Sequence, residues 1–219
     1  MIKIAPSLLA ANFTKLGSEV ESLNMTDAYM LHLDIMDGIF VPNISFGYDI
    51  VKQLRPLSSL IFDVHLMISD PMKYIDNFIS AGANSITFHY EAAKDNAEDI
   101  LKYIRSKGVK SALSVKPATG IEEIAHLLPL MDMLLIMSVE PGFGGQKYIP
   151  GATDKIKLSR RLIDENGLKT LIQVDGGVNA SNIAEVCKAG CDIAVAGTAV
   201  FGKSDRAKAI DELQNLSVQ

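Results

Sequence analysis

Eight times along this chain a short apolar run, bounded by turn residues, gives way to a segment with helical spacing. That alternation limits the fold more than any other feature. A strand reaches a parallel neighbour only through a crossover, so alternating strands and helices imply a parallel sheet. The strand runs cover residues 2–8, 29–36, 60–67, 85–89, 109–115, 131–137, 170–174 and 192–196. Helical periodicity is read over 14–23, 48–54, a segment opened by Ser69-Asp70-Pro71, 96–106, 121–128, 153–165, 182–189 and 205–216. Lys107-Gly108 and Asn166-Gly167 are C-terminal stops. Eight such units within 219 residues, with no linker or break in composition, predict a single-domain α/β protein: one (β/α)8 TIM barrel over residues 1–219. A doubly wound open sheet is the alternative. It carries a glycine-rich turn after its first strand, and Pro6-Ser7-Leu8-Leu9-Ala10 is not one.

The composition fits an ordinary globular chain, 48% hydrophobic and 21% charged, with enough length to bury a large core. No apolar run is long enough to span a bilayer, which predicts no membrane partner. The N-terminus enters a strand directly, without a signal-peptide layout. Two cysteines, Cys187 and Cys191, are too few for a disulfide framework and point to a reducing cytoplasm. A net charge of −5 argues against a nucleic-acid partner. It leaves room for a small anion held by backbone donors.

In a barrel, function sits on the loops after the C-terminal ends of the strands. Side chains alternate along a strand, so His32, Asp34 and Met36 share one face of the second strand. On the third strand Asp63, His65 and Met67 share a face, and on the seventh Asp175 follows Gln173. Each of these polar residues alone reads as a satisfied core group. Together, on the inner positions of one barrel mouth, two imidazoles and two carboxylates predict a site for one divalent metal ion, with His32, Asp34, His65 and Asp175 as ligands. Nitrogen and oxygen donors suit Zn2+, Fe2+, Mn2+ or Co2+.

Glycines mark a second constellation on consecutive loops. They are Pro141-Gly142-Phe143-Gly144-Gly145-Gln146 after strand six, Asp175-Gly176-Gly177-Val178 after strand seven, and Ala196-Gly197-Thr198 after strand eight. Glycine lets the backbone approach an anion, and the loops after strands seven and eight form the usual phosphate site of this fold. A metal beside a phosphate rim predicts a sugar-phosphate substrate. The metal would hold a carbonyl and its neighbouring hydroxyl and stabilise an enediolate, while two carboxylates serve as base and acid on opposite faces of one carbon. Removal on one face and return on the other is epimerisation. Ser7 is read equally as a substrate contact or a turn hydrogen bond. His89 is read as rim or structure, His126 as surface, and Met36, Met67 and Met137 as an apolar floor.

Across essentially the whole chain, the sequence resembles the ribulose-phosphate 3-epimerases. The resemblance is carried by Ala5-Pro6-Ser7, residues 32–43, 63–67, 86–91, 137–146, 174–178 and 196–201. It implies a TIM barrel of the ribulose-phosphate-binding type that interconverts D-ribulose 5-phosphate and D-xylulose 5-phosphate in the pentose phosphate pathway. It also implies that His32, Asp34, His65 and Asp175 bind the metal, that Asp34 accepts the C3 proton and that Asp175 donates one. Ser7 and His65 would contact substrate. Gly142, Phe143, Gly144, Gly145, Gly176, Gly177, Gly197 and Thr198 would hold its phosphate end, and the family is commonly oligomeric. The chain departs from the commonest family pattern at Glu140 and Lys116, each in place of Asn, and at Thr198 in place of Ser.

An epimerase of a related sugar phosphate, such as D-allulose 6-phosphate, shares this plan and differs in substrate. A non-catalytic metal- or phosphate-binding barrel leaves the pairing of Asp34 with Asp175 unexplained. An orotidine-phosphate type of decarboxylase needs a lysine two residues after the strand-two Asp, where this chain has Met36.

Overall fold

The structure is a computed structural model and describes residues 1–218. Its strands are β1 (Lys3–Pro6), β2 (Met30–Met36), β3 (Ile61–Met67), β4 (Ser85–His89), β5 (Lys110–Val115), β6 (Met133–Met137), β7 (Leu171–Asp175) and β8 (Ile193–Ala196). They form one parallel sheet in the order β1-β8-β7-β6-β5-β4-β3-β2. The two ends of that sheet meet. Tyr29 N–H donates to the Ile4 carbonyl at 2.9 Å, and Ser7 bridges in parallel to His32, which closes the barrel.

Helices clothe the outside: α1 (Leu16–Glu21), α2 (Tyr48–Leu54), α3 (Ile75–Ser80), α4 (Tyr90–Ala93), α5 (Ala97–Ser106), α6 (Gly151–Glu165), α7 (Ile183–Lys188), α8 (Thr198–Phe201) and α9 (Arg206–Leu216). Three local expectations are corrected. The first strand stops at Pro6, and residues Leu8–Ala10 turn tightly as a 3-10 segment. The helix expected over 14–23 opens with a 3-10 turn, Phe13–Lys15, whose Thr14 N–H is capped by the Asn12 side chain at 3.0 Å. Between β5 and β6 the expected helix is instead two 3-10 pieces, Ile121–Glu123 and Ala125–Leu130. Pro129 lies within the second. It lacks the N–H an α-helical bond to Ala125 would need, and its ring crowds that carbonyl. The short helices α4 and α8 were not separately read from the periodicity.

The core has a radial order set by strand alternation. Outward-facing residues such as Leu33, Val64, Phe88, Leu134 and Val174 are fully buried against the apolar stripes of the helices, among them Ile104, Ile156 and Ile210. Inside the barrel, Ala5, Met30, Ala112, Met133, Ile193 and Val195 form an apolar plug near the N-terminal ends of the strands. Above the plug lies a buried polar layer containing His32, Asp63, His65, Thr87, His89, Ser114 and Gln173. Met36, Met67 and Met137 end three strands at the mouth. Among the described residues, no helix is long and apolar enough to cross a membrane.

Candidate active site

Strand register brings the polar residues together. His32 lies opposite Asp63, and Asp34 opposite His65, across the β2–β3 pair, so both rows face the axis. Asp175 enters from β7 on the far side. His32 and His65 are fully buried, Asp34 nearly so, and the Asp175 side chain is 17% exposed.

Four donor atoms point into one small volume. His32 Nε2 lies 3.2 Å from His65 Nδ1 and 3.3 Å from Asp34 Oδ1. His65 Nδ1 is also 3.3 Å from Asp34 Oδ1, and Asp175 Oδ2 lies 3.8 Å and 3.9 Å from the two ring nitrogens. All four lie within 4.8 Å of one another. Bonds of about 2.0–2.2 Å in a tetrahedron would separate nitrogen and oxygen ligands by about 3.3–3.6 Å. The cage therefore has the size of a divalent-metal site.

The chemistry of the donors agrees with the geometry. His32 Nδ1 lies 2.8 Å from Asp63 Oδ2, an acceptor, so the ring donates its proton there and turns its Nε2 lone pair toward the cage. Asp63 is held in turn by Gln173, whose Nε2 donates to the same oxygen at 2.8 Å. The Ser7 hydroxyl donates to Asp34 Oδ2 at 2.7 Å and leaves Oδ1 facing the cage. The His32 lone pair and two carboxylate oxygens at such separations repel unless a cation or protons lie among them. The four residues fit a divalent ion.

The same contacts shift the acid strengths of the four groups. Burial opposes ionisation of Asp34, but the adjacent His32 and His65 rings hold its carboxyl well below the usual range. Burial and then the Asp34 charge push Asp175 up to about 6. His32 is driven the other way: burial lowers it, yet Asp34 and Asp63 together raise it well above an ordinary imidazole. His65 and His89 are both lowered, chiefly by burial.

Above the cage opens a cavity of about 650 Å³. Ser7, Asp34 and Asp175 line it, as do Gly142, Phe143, Gly144, Gly145, Gly176, Gly177, Gly197 and Thr198. Every residue proposed from sequence for the substrate lines this cavity except His65, which is fully buried. Met36, Met67 and Met137 also line the cavity. Gly176 and Gly177 have φ of +120° and +66°, and a Cβ on Gly177 would lie 2.4 Å from Tyr148 N. The turn after β7 can hold only glycine there while the β6 loop packs against it. Gln146 ties that loop to itself, its Nε2 donating to the carbonyls of Glu140 at 2.6 Å and Phe143 at 2.9 Å. Asn43 Nδ2 donates to Gly142 O at 2.8 Å and joins the β2 and β6 loops across the mouth.

Residue-by-residue reading assigned no role to Asp63, Gln173 or Glu91. The alternation that placed Asp63 and Gln173 on the inner face was visible, but their hydrogen-bond partners lie on other strands. Asn179, Asn182 and Tyr148 also line the cavity, and nothing in their spacing marks them.

The fold has many relatives at low identity. The tryptophan synthase alpha-subunit from Pyrococcus furiosus superposes with a TM-score of 0.72 at 16% identity, covering 100% of both chains. Orotidine 5'-phosphate decarboxylase from Pyrococcus horikoshii gives 0.71 at 13%, covering 99% of each. These likenesses establish the barrel alone. Sequence comparison is more specific. The model of the ribulose-phosphate 3 epimerase family matches residues 3–201. Ribulose-phosphate 3-epimerase from Bacillus subtilis is 45% identical over 98% of this chain and 99% of its own. The enzyme of that name from Synechocystis is 43% identical over 98% and 94%. This chain belongs to the ribulose-phosphate 3-epimerase family. Of the three positions singled out in the sequence, Thr198 lines the cavity and the other two do not. Glu140 is exposed and does not line the cavity, while Lys116 Nζ sits 4.0 Å above the Phe40 ring.

Proposed function

We propose that the chain inverts C3 of D-ribulose 5-phosphate to give D-xylulose 5-phosphate, in a metal-dependent reaction of the pentose phosphate pathway. The observation that carries this reading is the convergence of His32, Asp34, His65 and Asp175 from three strands, at a cavity rimmed by glycine loops. His32, Asp34, His65 and Asp175 would hold a divalent ion, which would supply Lewis-acid stabilisation of negative charge developing on the sugar's oxygens.

The protein's own groups do the rest. Asp34 removes the C3 proton, steadied by the Ser7 hydroxyl on its other oxygen. Asp175 belongs to β7, across the barrel from β2, and returns a proton to the opposite face of C3. His32 and His65 stay neutral as ligands. Backbone N–H groups around Gly142, Gly144, Gly145, Gly176, Gly177, Gly197 and Thr198 hold the phosphate, with Phe143 beside it. The methionine side chains supply an apolar wall for the reacting carbons.

The ion is Zn2+, Fe2+, Mn2+ or Co2+, one per chain, set by availability in the cell. Free thiols at Cys187 and Cys191 support a cytoplasmic setting. Exposed Ile39 and Ile44 on the β2 loop, with Phe13 packed on Phe46 beside α1, support assembly as a homo-oligomer. A coupled assay on protein stripped of metal and reloaded with each ion tests the function. Turnover of D-ribulose 5-phosphate only in reloaded protein is expected. Full turnover in exhaustively metal-free protein would end the metal-dependent reading. Turnover confined to D-allulose 6-phosphate would replace the substrate.

A further inference from the structure

The two histidines of the cage are held from behind by different means. His32 rests directly on the Asp63 carboxylate, whereas His65 meets another imidazole. His65 Nε2 lies 2.9 Å from His89 Nε2, and the rings meet edge to edge, with centroids 5.0 Å apart and planes inclined by 27°. On its far side His89 Nδ1 lies 3.2 Å from Glu91 Oε2. Both rings are fully buried, and the Glu91 side chain reaches 20% exposure at the end of the row.

For a neutral His89, hydrogen-bond chemistry allows this row one direction. A carboxylate only accepts, so His89 donates to Glu91 from Nδ1 and presents a lone pair at Nε2. That lone pair accepts from His65 Nε2–H. His65 is thereby left with its lone pair on Nδ1, the atom 3.2 Å from His32 Nε2 and 3.3 Å from Asp34 Oδ1. The proton positions along Glu91, His89 and His65 thus decide which atom His65 offers to the cage.

His89 is also held from the neighbouring loops. Phe40, from the β2 loop, packs on it at a tilt of 45° with ring centroids 4.8 Å apart, and the Lys116 ammonium lies 4.0 Å from the centre of the Phe40 ring. Glu91 Oε1 accepts from Lys116 N–H at 2.7 Å and from the Thr119 hydroxyl. Lys155, from α6, donates to the carbonyls of Lys116 at 3.0 Å and Pro117 at 2.7 Å, which fixes that loop. Phe40, Glu91 and the loop after β5 thus converge on one imidazole that reaches the cage through His65.

We propose that His89 and Glu91 are positioning residues of the metal centre, holding His65 in the Nε2–H tautomer so that Nδ1 faces the ion. This rests on the reading of His32, Asp34, His65 and Asp175 as metal ligands. Lys116 meets Glu91 through its backbone N–H, while its side chain reaches Phe40.

The test uses His89→Leu, which removes the acceptor, His89→Gln, whose side-chain oxygen restores one, and Glu91→Gln, which preserves packing if His89→Leu fails to fold. Co2+ dissociation constants are measured by chelator competition. The ring tautomer of His65 is read by 15N NMR in the metal-free and Zn2+-loaded full-length protein. His89→Leu is expected to weaken Co2+ by about 10–100-fold and to populate both His65 tautomers. His89→Gln should recover part of that affinity, and Glu91→Gln should show a smaller loss in the same direction. A parent protein with His65 protonated on Nδ1, or folded variants that hold Co2+ as tightly as the parent, overturns the proposal. A parent that takes up no Co2+ overturns the metal reading and this proposal together, and the tautomer measurement then still tells whether the His65–His89 bond exists.

Discussion

Asp34 and Asp175 are the same residue type aimed at one cage, and their surroundings make them different acids. Asp34 accepts from Ser7 and faces two imidazoles, so it stays ionised, whereas burial and then the Asp34 charge raise Asp175 to about 6. Under the proposed mechanism, Asp175→Asn should block return of the proton to the second face of C3. Asp34 would still remove and replace the proton on the first. In deuterated water that variant should wash deuterium into C3 of D-ribulose 5-phosphate while forming little D-xylulose 5-phosphate, with metal occupancy measured alongside. A metal-loaded Asp175→Asn that inverts C3 at near the parent rate would show that another group is the acid. The glycines differ among themselves too. A Cβ at Gly144 meets nothing nearer than Leu9 Cδ2 at 4.0 Å, but one at Gly177 drives into the Tyr148 backbone at a left-handed φ. Gly177→Ala should cost at least about 1 kcal/mol of stability and raise KM for the phosphorylated sugar. Gly144→Ala should leave the melting temperature unchanged. Equal behaviour of the two in thermal and kinetic assays would count against this account of the loop.

At the scale of elements, one device recurs at the closed end of the barrel. The residue just before β4, β6 and β8 turns its side chain back to the backbone of the preceding strand. Asn84 accepts from Phe62 N–H at 2.8 Å, Asp132 from Ser111 N–H at 3.0 Å, and Asp192 from Ile172 N–H at 2.7 Å. Each is met by an arginine from the segment that leads into that preceding strand: Arg55 at 3.1 Å, Arg105 at 3.5 Å and Arg160 at 2.6 Å. Gly82 and Gly190, two residues earlier in the first and third cases, have φ of +97° and +106°, and a Cβ on either would strike the arginine stem. The segments Ala81-Gly82-Ala83-Asn84 and Ala189-Gly190-Cys191-Asp192 are therefore one structural word used twice. Before β2 the position is Tyr29, which lies under the Lys3 ammonium instead. Asp192→Ala strands the Ile172 N–H and loosens Arg160, with an expected loss of about 1–3 kcal/mol in denaturant unfolding. Since this end is remote from the cage, kcat should hold. A large fall in kcat at unchanged stability would contradict the division between a structural floor and a reactive mouth.

For the whole molecule, the cage is a staple as well as a site. β2 and β3 supply three of its members and β7 the fourth, so an ion there ties opposite walls of the barrel. An ion that binds only the folded state at 100 times its dissociation constant adds about 2.7 kcal/mol. For a chain of this length that corresponds to a rise of roughly 5–10 °C in melting temperature. Calorimetry with excess chelator against excess Co2+ or Zn2+ measures it. Identical melting in both would mean that the four residues hold no ion in the folded protein.

Much of this molecule follows from local rules. Eight strand–helix units fix a parallel barrel, because crossover and alternation are properties of neighbouring residues. The same alternation turns His32, Asp34, His65 and Asp175 inward, and the glycine runs mark the rim. The first strand's end, the 3-10 path through Pro129 and the short helices α4 and α8 were less legible, since a cap or one missing N–H outweighs periodicity over a few residues. What the sequence could not settle was which inward groups meet. Asp63 joins Gln173 from 110 positions away, and His65, His89 and Glu91 align only because β3 and β4 stand side by side with β5's loop closing over them. Hydrogen bonds act over about 3 Å, and only the closed barrel brings residues so far apart in the chain within that distance.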